Sequence, residues 1–223
     1  TWNNVDLEPN RARIQQDVSR IGIALAKPAW PELSLTYARS ALTSSYIPAG
    51  MTAQRSQSNS MEAAMAYTGL TWNARLSSSY ILTNDEMRGG AQSTTFAQTL
   101  VAAYRPLNTL TLAPTLSYRS ETQRWSGAKI QTPMASVSLL YKQSQRLLVS
   151  AIGGYTSTKS SDGLIETESI VGRGMFAFHL NPIYGHPTTL SLEASYTNTT
   201  NRTVAGVDTE DLSGLVRILV AAL

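Results

Sequence analysis

The chain has 223 residues, of which 42% are hydrophobic and 15% charged, with a net charge of +3 and no cysteine. That length suits one large domain or two small ones, and the missing cysteines exclude disulfide frameworks, thiolate nucleophiles and cysteine-based zinc sites. The charge is low for a soluble domain, where about 25% is usual. Yet no run of about 18 apolar residues exists to form a membrane helix, and no basic cluster with interleaved aromatics points to nucleic acid.

Residues 1–17 precede the first patterned segment. From there the chain reads as about eleven strands, at 18–27, 32–43, 60–70, 73–83, 94–105, 108–119, 132–142, 146–158, 168–180, 188–197 and 212–222. Each carries apolar residues on one parity, a period of two that fits a strand and not a helix. Leu33, Leu35 and Tyr37 share a parity, as do Met61, Ala63, Met65 and Tyr67, and later Leu190, Leu192, Ala194 and Tyr196. In LTLAPTLSYRS, residues 110–120, Leu110, Leu112, Leu116 and Tyr118 alternate with Thr111, Ala113, Thr115 and Ser117. The second face is small and hydroxylic rather than charged. These segments are longer than the roughly five or six residues usual in soluble sheets. They match the roughly 9–11 that a tilted membrane strand needs.

The connections alternate in length. Short ones at 28–31, 105–108, 142–145 and 181–187 hold turn formers, whereas long ones at 44–59, 84–93, 120–131, 159–167 and 198–211 hold most of the polar and charged residues. A repeat runs beneath this. Tyr67, Tyr104, Tyr141 and Phe178 are spaced by 37 residues, each just before a short turn, and Tyr118 and Tyr155 repeat the spacing near long loops. The repeating unit is one hairpin with an aromatic near each end. Two aromatic levels suit two headgroup regions, because tyrosine has an apolar body and a polar tip. The eight steps from Leu110 to Tyr118 span about 26 Å of strand, or roughly 20 Å of height when tilted, close to an apolar band of about 25 Å.

In these features the chain resembles the bacterial outer-membrane β-barrel superfamily over nearly all of residues 18–223. The likeness is one of architecture and singles out no family. It implies an all-β, antiparallel up-and-down transmembrane barrel, with about 11 strands visible and 12 or more when complete. Long loops would be extracellular and short turns periplasmic. The ending GLVRILVAAL departs from the pattern, since such proteins usually finish on an aromatic residue. One girdle, on the short-turn side, is expected from Trp30, Tyr67, Trp72, Tyr104, Tyr141 and Phe178, and the other from Tyr80, Tyr118, Tyr155 and Tyr196. Lipid would contact Leu35, Leu112, Leu116, Val137 and Phe176.

Few charges fall inside the strands. Glu62, Arg75, Arg173, Glu193 and Arg217 lie on the less apolar parity and are expected to face a lumen, since an arginine facing midplane lipid costs about 2–4 kcal/mol. Arg173 and Glu193 sit on consecutive strands and are expected to pair. Gly172 and Gly174 around Arg173 are read as relief of crowding. The loop cations Arg55, Arg88, Arg124, Lys129, Lys159 and Arg202 suit lipopolysaccharide phosphates, but Asp85, Glu86, Glu121, Asp162, Glu166 and Asp208 share their loops, so a solvated surface is the simpler reading. Catalysis is not expected. His179 and His186 are turn residues, no GxSxG motif occurs, and two histidines without cysteine favour neither a metal nor a cofactor.

The expected function is a non-catalytic outer-membrane barrel, acting as a passive conduit or as the anchor of a larger envelope assembly for secretion or export. The rivals are a barrel enzyme acting on lipid or peptide, and a soluble β-rich surface domain. Expected partners are outer-membrane lipid, including lipopolysaccharide, and another envelope protein or an upstream domain of the same chain. Strands 18–27 and 212–222 run the same way, so at least one more strand should separate them. That edge would be filled by residues 1–17, which otherwise form an extramembrane loop or plug, by another chain, or by upstream residues if this is the C-terminal part of a longer protein.

Overall fold

The fold comes from a computed structural model that describes residues 2–3, 13–46, 55–85, 91–143, 146–183, 186–204 and 207–220. It is all-β. After the two-residue β1 (Trp2–Asn3) come β2 (Arg13–Leu25), β3 (Glu32–Tyr46), β4 (Arg55–Thr68), β5 (Trp72–Asp85), β6 (Ala91–Leu107) and β7 (Leu110–Gln123). They continue as β8 (Lys129–Lys142), β9 (Leu147–Ser160), β10 (Glu166–Ile183), β11 (His186–Asn201) and β12 (Thr209–Val220). One sheet holds all twelve in chain order, an antiparallel up-and-down arrangement. The chain divides into two compact units, Thr1–Ala66 with Ser77–Gln98 and Arg119–Ile130, and Tyr67–Leu76 with Thr99–Tyr118 and Gln131–Leu223.

In the first unit the register stacks Ile21, Tyr37 and Met61 in one row, then Ile23, Leu35 and Ala63, then Leu25, Leu33 and Met65. The opposite face carries the rows Gly22, Thr36 and Glu62, and Ala24, Ser34 and Ala64. In the second unit, Val149, Phe176, Leu192 and Val216 form a row, and Leu147, Phe178, Leu190 and Ile218 form its neighbour. The opposite face holds Ser150, Arg173, Ser191, Ser195, Ser213 and Arg217, together with Leu148, Ile152, Met175, Leu215 and Leu219. The period of two therefore sorts the side chains in these rows of the first unit, and less completely in the second.

The apolar face is not a core. Among the described residues the buried hydrophobics are Ala128 and Ala177, while Leu116 is 52% exposed, Leu192 43% and Ile218 67%. Gln16 to Leu25 in β2 and Asp211 to Leu219 in β12 are exposed on both parities. Trp2 and Asn3 pair antiparallel with Gln15 and Ile14, so a short piece of the N-terminal segment joins the edge.

The eleven long strands match the sequence reading one for one, but their ends do not. Each has 12 to 18 residues, and the ladder runs on into both ends of the segments read as long loops. The loop read at 120–131 shrinks to 124–128, and that at 159–167 to 161–165. Polar residues end the apolar band without ending the hydrogen bonding, because ion pairs and hydroxyls are as compatible with a ladder as leucines are. The crowding argument for Gly172 and Gly174 also fails, since a Cβ on either would meet nothing within 4 Å. They face Gly153, Ala151 and Ala194, and that face is open.

Two turns test backbone strain. Trp30 N–H donates to the Lys27 carbonyl at 3.0 Å, closing a turn in which Ala29 has φ 63°. Gly163, in the β9–β10 turn, has φ 73°. An L-residue with a Cβ in this region costs about 1–2 kcal/mol. Ala29→Gly is therefore expected to raise stability by up to about 1 kcal/mol, and Gly163→Val to lower it by about 1–2 kcal/mol. Urea unfolding in detergent micelles would compare the two.

Candidate functional site

The polar face of β10, β11 and β12 carries the densest polar cluster among the expected site residues. Antiparallel register sets Arg173 opposite Ser195 and Ser195 opposite Ser213, with Met175, Glu193 and Leu215 in the next row. The Arg173 guanidinium reaches diagonally to Glu193, Nη2 to Oε2 3.2 Å. Ser195 and Ser213 share a hydroxyl hydrogen bond of 2.6 Å. These groups, with Leu215 and the chain at Ala194 and Gly214, line a cavity of about 280 Å³. The Arg173 side chain is 64% exposed and Glu193 only 23%, so the carboxylate is held against the sheet and the guanidinium extends over it.

The remaining expected charges lie apart from this cluster. Glu62 stands opposite Thr36, in the first unit. Arg75 is an exposed residue of β5. Arg217 stands opposite Ser191, whose hydroxyl leans toward the Arg217 carbonyl at 3.5 Å. His179 Nδ1 is 2.8 Å from Thr189 Oγ1, and among the described residues no carboxylate is hydrogen-bonded to that ring. The His186 side chain lies outside the described residues.

The aromatics keep consistent places along their strands. Tyr80, Tyr118, Tyr155 and Tyr196 each stand five residues before the end of a strand, at Asp85, Gln123, Ser160 and Asn201. At the other end, the residue after three of the four repeated aromatics donates a backbone bond to the neighbouring strand or turn. Arg105 donates to Thr71 (2.6 Å), Lys142 to Thr109 (2.7 Å) and His179 to Arg146 (2.8 Å). Tyr67 and Trp72 stack across their tight turn, centroids 4.4 Å apart, and Lys27 lies 5.1 Å over the Trp30 ring.

Three phenol tips are engaged toward the long-loop ends of their strands. Gln131 donates to Tyr118 (2.7 Å), Asn198 to Tyr196 (3.1 Å), and Tyr37 donates to Asn59 (3.1 Å). Tyr37 is not among the aromatics assigned to a girdle from the sequence. It lacks a counterpart 37 residues on, where Ala74 stands.

The long-loop rim of β9, β10 and β11 holds a four-charge network. Lys159 meets Glu166 at 3.0 Å and Glu168 at 3.9 Å, and Arg202 meets Glu168 at 3.1 Å and Glu166 at 3.7 Å. Two of the loop cations are thus engaged by carboxylates of their own rim. Arg124 donates to Gln92 at 3.0 Å, and Arg119 pairs with Glu121 at 3.1 Å. Arg55 opens β4 and Lys129 opens β8, while Glu86 and Arg88 lie outside the described residues.

In the turn after β9, the Ser160 hydroxyl and then the Leu164 N–H donate to Asp162, holding its carboxyl below its ordinary pKa. A depressed carboxylate pKa contributes stability above the ordinary value and loses it as pH falls through the lowered one. An NMR titration should place the Asp162 midpoint below that of an unstructured aspartate, and Ser160→Ala should move it back up.

No protein-family model matches the chain, and no curated protein matches it either.

Proposed function

We propose that the chain forms an outer-membrane β-barrel without catalysis, closed around a lumen lined by the hydroxyl-rich face, and that it acts as a passive conduit. The observation that carries this reading is the exposed apolar face. Monomeric soluble proteins rarely expose contiguous apolar patches larger than a few hundred Å², whereas here Phe176, Leu192 and Val216, neighbours in one row, are all exposed and Val149 beside them is half-exposed. Hydrocarbon is the solvent that removes that cost. A soluble sheet with this sequence would have to bury one face, and the described residues bury two alanines.

Tyr37, Tyr118 and Tyr196 agree with a membrane frame, for each holds a polar partner at its hydroxyl tip. In that frame the 161–165 turn and the Lys159–Arg202 network face outward, toward lipopolysaccharide, and the 69–71 turn faces the periplasm. Glu62, Arg75, Arg173, Glu193 and Arg217 then face the lumen. A conduit is favoured over a sealed anchor because the Arg173–Glu193 cluster borders open space of about 280 Å³ rather than packed side chains.

The test is refolding. Urea-unfolded chain should acquire β-sheet dichroism and protease resistance in phosphocholine micelles or vesicles, and aggregate in buffer alone. Spin labels at Leu112 should sense a lipid-phase quencher and those at Thr111 should not. A monodisperse sheet formed in buffer, or the opposite labelling pattern, would sink the membrane reading.

A further inference from the structure

We propose that the cavity at Arg173, Glu193, Ser195, Ser213 and Leu215 is a binding station for one ring of a neutral, polyhydroxylated solute of the oligosaccharide class. The inference takes its traffic from the conduit reading, while the binding itself stands on the geometry of the second unit. Charge decides first. Arg173 and Glu193 neutralise each other at 3.2 Å, so the station attracts neither ion class. An anion would meet the Glu193 carboxylate and a cation the exposed guanidinium.

Hydrogen bonding decides next. A guanidinium has five donors and a carboxylate about four lone-pair sites, so each keeps unused capacity after one mutual contact. The Ser195–Ser213 pair can turn its shared proton either way. A ligand that matches this set must donate and accept at closely spaced points, which is what vicinal hydroxyls do. An apolar ligand would strip water from all four groups and return nothing. Leu215 supplies a small apolar surface for the carbon-bound face of a ring. The volume, about 280 Å³, lies at the lower end of ligand pockets, roughly 300–1,000 Å³, and suits a single ring.

The same face continues the chemistry in both directions. Ser191 and Thr189 follow on the short-turn side, and Thr197 and Thr199 on the long-loop side, the last within 3.2 Å of Ser169. Same-face residues of a strand are about 6.6–6.8 Å apart. A sugar chain released from the station therefore finds another hydroxyl within one step either way.

The experiment uses detergent-folded protein titrated calorimetrically with maltopentaose, with a galacturonate pentamer and with a glucosamine pentamer, followed by conductance in planar bilayers with each oligomer added. Maltopentaose is expected to bind at least tenfold more tightly than the two charged oligomers and to interrupt the current. Ser195→Ala combined with Ser213→Ala should weaken maltopentaose about tenfold while dichroism stays unchanged. Glu193→Gln keeps the shape, leaves a net positive charge, and should gain affinity for galacturonate. The proposal is overturned if maltopentaose fails to bind, binds the double variant equally well, or is outbound by galacturonate in the unaltered protein. Conductance without sugar binding would overturn the station and leave the conduit. Sugar binding without conductance would overturn the conduit and leave the station.

Discussion

Leu192→Arg is expected to destabilise the membrane-folded chain by about 2–4 kcal/mol, while Ser191→Arg, one residue away, costs less than about 1 kcal/mol. Leu192 stands in the row Val149, Phe176, Leu192 and Val216 on the apolar face. In hydrocarbon its replacement puts a guanidinium where no water reaches. Ser191 sits on the other face opposite Arg217, so a new arginine there meets a like charge, a cross-strand cost within about 1 kcal/mol, but no hydrocarbon. In a soluble sheet both sites would be solvated and both changes would fall within about 0.5 kcal/mol, as surface substitutions usually do. Unfolding midpoints in vesicles would separate the two cases, and equal effects at both positions would remove the membrane assignment.

Proline in β12 is expected to be strongly destabilising, on the order of several kcal/mol in lipid, at both Leu215 and Val216. In an antiparallel ladder, successive residues point their N–H groups alternately to one neighbour and to the other. One of these two positions bonds β11, and the other points away from it, to the far side of β12. If the sheet closes in lipid, that far side must also be paired, since each unmet backbone group there costs several kcal/mol. If β12 is a free edge in water, one of the two prolines should be tolerated, as edge prolines are. Alternating tolerance along β12 would defeat closure of the barrel.

The faces of this fold were legible because side-chain alternation is a local property. Ile23, Leu35 and Ala63 align across three strands, as their parities require. The strand ends were not legible, because hydropathy marks where the apolar band stops and not where the ladder stops. Glu121, Lys159 and Glu166 read as loop, yet all lie in strands, with their charges met by Arg119 and Arg202 among others. At the candidate site, parity and strand order were enough to bring Arg173 and Glu193 to one face. Their diagonal placement depends on register, which the unaided sequence leaves free. The Ser195–Ser213 bond could not be singled out in a chain where serine and threonine are everywhere.

The 37-residue spacing is written in the backbone as well as in the aromatics. Gln123 donates to Ala128 and Ser160 to Ile165, each pair displaced by 37 residues from the other, just as the bonds of Lys142 to Thr109 and His179 to Arg146 are displaced along the opposite margin. A hairpin of this length is therefore a unit that can be copied or deleted whole, leaving the alternation of every other strand intact. A single-residue insertion inside one strand would instead send its remaining side chains to the wrong face. Such a chain is free to evolve in width by duplication, two strands at a time, and is nearly barred from doing so by smaller steps.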